Sequence, residues 1–160
     1  MSTMAVIQKR SSRLACPYFM PTRRSDEAAW LHPVRLPLGA AWEGTCCAPG
    51  HHGTIVSSDD LRECNLGYAS RCARLPLERN SDAVRFGIAC ENGLLLSLRV
   101  ICEKNYRPAG DTVLQYDSQQ AQWISSHPDP QIQKMAECYL ESYLSRKTQS
   151  VVDSTSSTDE

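Results

Sequence analysis

The stretch Val84-Arg-Phe-Gly-Ile-Ala-Cys-Glu-Asn-Gly-Leu-Leu-Leu-Ser-Leu-Arg-Val-Ile-Cys102 decides the fold class. Val84, Phe86, Ile88 and Cys90 alternate with smaller or polar residues, and Leu94, Leu96, Leu98, Val100 and Cys102 do the same after Asn92-Gly93. A period of two is the mark of a strand with one buried face, and Asn-Gly between two such runs marks a hairpin. Parity selects the loop. A two-residue Asn-Gly loop would set Cys90 opposite Leu95 and send the two apolar sets to opposite faces. A three-residue loop of Glu91, Asn92 and Gly93 sets Cys90 opposite Leu94 and keeps both sets on one face, with Gly93 in the left-handed conformation. The three-residue loop is the expectation.

Two further short strands follow. Thr112-Val-Leu-Gln-Tyr116 and Gln122-Trp-Ile124 are joined by Asp117-Ser-Gln-Gln. Beyond Asp129-Pro130, the residues Ile132, Met135, Ala136, Tyr139, Leu140, Tyr143 and Leu144 recur at helical spacing and make one apolar stripe. Asp129 suits the N-cap and Pro130 the first helical position. The stripe is expected to cover the sheet. The fold class is therefore α+β, a small antiparallel sheet of three or four strands backed by a C-terminal amphipathic helix.

Upstream the pattern changes. Residues 15–80 hold Pro17, Pro21, Pro33, Pro37, Pro49 and Pro76 together with Gly39, Gly44, Gly50, Gly53 and Gly67. This punctuation predicts a loop-rich half with short helical turns. One such turn is expected at 25–31, with Ser25 as cap, and a second at 58–67, capped by Ser58 and stopped by Gly67. Residues 1–14 lack hydrophobic periodicity and read as a flexible arm. Residues 147–160 are polar and Ser/Thr-rich and read as a disordered tail. A single domain is thus expected over 15–146, divided into an irregular cysteine-rich half (15–80) and a sheet-plus-helix half (81–146).

The 160 residues carry a formal net charge of −1, which argues against a globally basic nucleic-acid binder. Lys9, Arg10, Arg13, Arg23 and Arg24 around Tyr18 and Phe19 offer a local basic-aromatic cluster, read as a solvated arm. No apolar run reaches the length of a membrane span. No phosphate-binding glycine loop follows a strand, so no nucleotide site is expected. Val6 and Ile7 are interrupted at once by Lys9, Arg10 and Arg13, which leaves no export signal in view; the expected compartment is the reducing cytosol.

In that compartment the eight cysteines carry the functional argument. Cys90, Cys102 and Cys138 lie on regular elements and read as small buried hydrophobes. Cys16, Cys46, Cys47, Cys64 and Cys72 crowd the half with the fewest means to build its own core, which a metal site would staple. The ligand set read from this spacing is Cys16, Cys46, Cys64 and Cys72, with Cys47 and His52 as alternatives. No C-x-x-C occurs, and structural zinc usually draws on such close pairs, so an iron–sulfur cluster of the 4Fe–4S kind is placed ahead of zinc. A Cys₃His zinc site through His52 is the competing arrangement.

Four closed thiolate ligands leave no open position for substrate. The expected role is accordingly electron transfer, sensing or docking to a protein partner, in a chain that is not an enzyme by itself. A zinc-binding structural module is the first alternative. A metal-free interaction protein, or a cysteine-dependent enzyme with Cys47 as nucleophile and His52 as base, are the others; for the last, spacing places no orienting Asn or Asp.

Overall fold

The computed structural model describes residues 14–25, 33–57, 59–66 and 72–156. Residues 1–13 of the arm expected over 1–14, residues 26–31 of the turn expected over 25–31, the Ser58 cap and the Gly67 stop lie outside them. Leu14, the last residue of the expected arm, is buried in the core. Two antiparallel sheets and a long C-terminal helix make up the architecture. In chain order the elements are β1 (Phe19–Arg24), a 3-10 turn (Pro33–Arg35), β2 (Trp42–Cys46), β3 (Thr54–Ile55), α1 (Leu61–Asn65), β4 (Ala83–Asn92), β5 (Leu95–Lys104), β6 (Arg107–Asp117), β7 (Gln122–Trp123) and α2 (Pro130–Ser156). The α+β class with a small sheet backed by a helix is what the molecule has. No helix among the described residues is long and apolar enough to cross a membrane.

The larger sheet runs β4-β5-β6-β7 as a meander. Its first hairpin corrects the expected loop. Asn92 pairs with Leu95 and Cys90 with Ser97, not with Leu94, so only Gly93 and Leu94 form the turn. Gly93 does take the left-handed conformation, at φ 63°. The extra residue that parity demands sits in the strand instead: the register shifts between Ile88 and Cys90, a bulge at Ala89. Upstream of it Ile88 faces Leu98, Phe86 faces Val100 and Val84 faces Cys102, so both apolar sets share one side as expected.

Downstream the faces exchange. Cys90 is turned outward and is exposed, contrary to its reading as a buried hydrophobe. Glu91 takes the helix-facing position, where its carboxylate accepts hydrogen bonds from Tyr143 Oη and, at 2.7 Å, from Lys147 Nζ. These two bonds, with the lysine charge, hold the Glu91 carboxyl below the usual range.

The β5–β6 turn places Asn105 and Tyr106 both at positive φ, the geometry of a tight type I′ hairpin. Asp82, nearly buried, accepts the Asn105 N–H at 2.8 Å and Arg79 Nε at 2.5 Å, which anchors this turn to the chain entering β4. Asp117 Oδ1 accepts the Gln119 and Gln120 N–H groups and so closes the β6–β7 loop.

The second sheet, β1-β2-β3, lies in the half expected to be loops and helical turns. Its pattern is hidden for identifiable reasons. In β2 the buried positions are Trp42, Gly44 and Cys46, a set that does not read as an apolar alternation. In β1, Pro21 sits where the register shifts against β2, a place that tolerates a residue without an N–H. Gly44 is required there. A β-carbon on it would lie 2.0 Å from the Met20 carbonyl oxygen and 2.9 Å from Phe19 Cε1. Gly44→Ala must therefore force β1 and β2 apart. It is expected to cost about 3 kcal/mol, read as a lowered midpoint in urea unfolding.

Helix α2 has the predicted stripe. Ile132, Met135, Ala136 and Leu140 are buried, Tyr139, Tyr143 and Leu144 pack partly buried beside them, and Cys138 is buried on the flank. At its start Gln133 N–H donates to the Asp129 carbonyl, and the Gln133 side chain reaches back to accept the His127 N–H at 2.7 Å. The helix packs chiefly against β1 and also against β5, so it bridges the two sheets and does not simply cover the larger one. One continuous core results, from Phe19 and Trp42 through Leu98, Val100 and Leu114 to Met135. The helix extends to Ser156, into the stretch read as tail. Each residue added to an existing helix fixes one backbone unit for one hydrogen bond, so extension needs no tertiary contact.

Candidate metal centre

Cys16, Cys46, Cys64 and Cys72 line one cavity, together with Tyr18, Phe19, Ala48, Asp60, Arg74 and Leu75. Four separate segments bring them there. Cys16 follows Ala15, whose N–H and C=O exchange 2.9 Å hydrogen bonds with Val84 at the start of the large sheet. The turn after it, closed by Phe19 N–H donating to the Cys16 carbonyl, is held from outside by Gln131 of α2, whose Nε2 donates to the Pro17 carbonyl. Cys46 ends β2, opposite Phe19 on one side and Thr54 on the other. Cys64 lies in α1, and its carbonyl accepts the Cys16 N–H at 3.1 Å. Cys72 opens the turn that returns through Leu75, whose N–H donates to the Cys72 carbonyl.

Helix α1 is too short to hold itself, so its placement depends on Asn65. Asn65 is almost fully buried. Its Oδ1 accepts the Trp42 N–H at 2.9 Å, and its Nδ2 donates to the Trp42 carbonyl at 2.8 Å and the Leu61 carbonyl at 3.0 Å. The side chain thus pairs with β2 as a neighbouring strand would, which fixes Cys64 relative to Cys46. Sequence reasoning missed this residue; an Asn directly after a candidate ligand is the only signal it left.

Two of the sulfurs carry the same local bond. Cys46 Sγ accepts the Ala48 N–H at 3.4 Å, and Cys16 accepts a backbone hydrogen bond from Tyr18. In both cases the donor is two residues on. An N–H aimed at sulfur favours the thiolate over the thiol and is one of the levers that tune sulfur-ligated centres.

The electrostatics set the other side of the balance. Burial, with lesser repulsion from Cys46 and Cys72, pushes the Cys16 thiol up to about 12, against the Tyr18 N–H and Arg79. Burial also raises Cys64, and Cys16, Cys72 and Cys46 each add to the rise while Arg74 opposes it. Cys16 and Cys64 thus each lie within the field of Cys46 and Cys72. Cys16 and Cys64, raised in this way, favour the thiol over the thiolate, and a metal ion bound there would have to replace those protons.

The alternatives are placed elsewhere. Cys47 is half-buried, its N–H donates to the Tyr18 carbonyl at 2.7 Å, and it is not among the lining residues. His52 is exposed in the Gly50–Gly53 loop and likewise does not line the cavity. Among the described residues, no group of three or more His, Cys, Asp or Glu side chains is arranged to hold a single metal ion.

The remaining cysteines differ in accessibility. Cys138 is buried and its thiol is pushed up to about 12, first by desolvation; Cys102 is half-buried and also raised by burial. Thiolate fraction and access together govern alkylation. Brief treatment of the native protein with iodoacetamide at neutral pH should label Cys90 first and leave Cys138 unmodified, as read by peptide mass spectrometry.

No protein-family model matches the chain, and no curated protein or solved structure is significantly similar to it.

Proposed function

We propose that the protein is a small metalloprotein that binds an iron–sulfur cluster through Cys16, Cys46, Cys64 and Cys72, in an electron-transfer, sensing or partner-docking role. The observation that carries this reading is the convergence of these four thiols, from four separate segments, on one cavity. The backbone N–H groups at Cys16 and Cys46, and the apolar walls supplied by Phe19, Ala48 and Leu75, add the donors and water exclusion that such a centre uses.

The choice of a cluster over zinc rests on spacing. A tetrahedral zinc with bonds near 2.3 Å draws its four sulfurs to about 3.8 Å of one another. A cubane core puts a different iron at each ligand and so joins thiolates that stand further apart. The long sequence gaps between Cys16, Cys46, Cys64 and Cys72, with no C-x-x-C pair among them, suit the larger core, which ligands from separate segments can grip. With every ligand position taken by protein, the centre exchanges electrons or reports on its own integrity and leaves no site for substrate.

The test is anaerobic purification followed by a visible spectrum and analysis of iron, sulfide and zinc. Brown protein with iron and sulfide in equal amounts is the expected result. Colourless protein with one zinc per chain would replace the cluster by zinc on the same cysteines. Folded protein free of both metals overturns the reading.

A further inference from the structure

Two guanidinium groups stand near the four thiols, and their surroundings differ. Arg79 is held closely: Nε donates to Asp82 at 2.5 Å and Nη1 donates to the Pro76 carbonyl at 2.9 Å. Its charge, which still acts on Cys16, is paired with a carboxylate that is itself nearly buried. Arg74 lines the cavity with the cysteines, about three-quarters buried, and among the described residues it forms a loose ion pair with Asp60 at 3.6 Å. Asp60 lines the same cavity and is half-exposed. Arg74 is thus, among the described residues, the cation of the cavity wall, and its charge already acts on Cys64.

Four thiolates around a doubly charged core, cluster or zinc alike, leave a dianion. Held among Phe19, Ala48 and Leu75, that charge lacks the solvation it would have in water. A guanidinium in the wall offsets it, and it does so most where water is excluded. A guanidinium also donates several N–H groups to sulfur, which a point charge at the same place does less well.

We propose that Arg74 is the charge-compensating residue of the four-cysteine centre, held off the sulfurs by Asp60 and shifting toward them when the centre is filled. It acts through the ligands and is a positioning residue, not a ligand. The inference rests on the metal reading above and adds to it the group that retains the metal.

The experiment uses the full chain with the metal it carries on isolation. Metal release to an excess of chelator is followed for wild type, Arg74→Gln, Arg74→Lys and Arg85→Gln, the last an exposed arginine on β4. R74Q is expected to release metal about tenfold faster, the usual scale for losing a second-layer partner. R74K, which keeps the charge but not the fork of N–H donors, should fall between R74Q and wild type, and R85Q should match wild type. Urea unfolding in the presence of chelator should be the same for R74Q and wild type, because the charge to be compensated is then gone. Equal release rates for R74Q and wild type, or an equal loss of stability in the chelated protein, would overturn the role of Arg74 while leaving the centre intact. A wild-type chain that holds no metal would overturn both the centre and this role.

Discussion

Cys64→Ser is expected to empty the centre, with the visible absorbance and the bound iron lost together. Cys16, Cys72 and Cys46 each act on Cys64. A serine oxygen at that place is neutral near pH 7 and a poor ligand for a soft core. Loss of an outer partner alone costs a sulfur site about 10- to 100-fold in affinity, so removal of a ligand should exceed about 100-fold. Stability should fall as well, since metal binding to a site absent from the unfolded chain is folding free energy. The segments carrying Cys16, Cys46, Cys64 and Cys72 should become protease-sensitive, while the β4–β7 sheet keeps its protection from hydrogen exchange. Cys16→Ser should behave in the same way. Cys47→Ser should keep full metal content, because the Cys47 side chain lies outside the cavity wall. Retention of iron by C64S, measured on the anaerobic protein, would remove Cys64 from the ligand set.

Asn65→Leu should separate the scaffold from the chemistry. The substitution keeps the volume but removes all three buried hydrogen bonds and leaves the Trp42 N–H and carbonyl without their side-chain partner. An abandoned buried polar group costs about 1–3 kcal/mol, so a loss of about 2–5 kcal/mol is expected in urea unfolding of the metal-free protein. Metal content should fall too, since α1 loses its attachment to β2 and Cys64 its fixed distance from Cys46. The order of effects distinguishes this variant from C64S: N65L is destabilised with or without metal, whereas C64S differs from wild type chiefly when metal is supplied. Wild-type stability of metal-free N65L would show that α1 is held by other contacts.

The large sheet and the helix were legible because each buries one face against a common core. Alternation from Val84 to Cys102 and the stripe from Ile132 to Leu144 are direct records of that burial. The bulge at Ala89 was not legible. Parity requires one extra residue between the two apolar runs, and a residue added in the turn or in the strand satisfies it equally. The choice shows only in the outcome, Cys90 exposed and Glu91 facing Tyr143 and Lys147. The smaller sheet left still less trace, since its inward positions are filled by Gly44, Cys46 and Trp42, and Pro21 interrupts its partner.

The sequence by itself determined the α+β class, the shared apolar face of the large sheet upstream of Ala89, and the apolar stripe of the C-terminal helix. Its division of the cysteines into regular and irregular segments did not hold, since Cys46 lies on β2 and Cys64 on α1. Local periodicity encodes which residues must leave water, and that information survives without coordinates. Only the tertiary structure decided which of the irregular-half cysteines meet: Cys46 lines the cavity and Cys47, its neighbour, does not. Adjacent residues on a strand point to opposite sides, so the choice between them waits on β2 pairing with β1 and on the β2–β3 loop carrying His52 outward. The Arg74–Asp60 pair and the Asn65 clamp belong to the same class of feature. Each joins residues far apart in the chain or set by a turn, and each is fixed only when the two sheets and the helix close on one core.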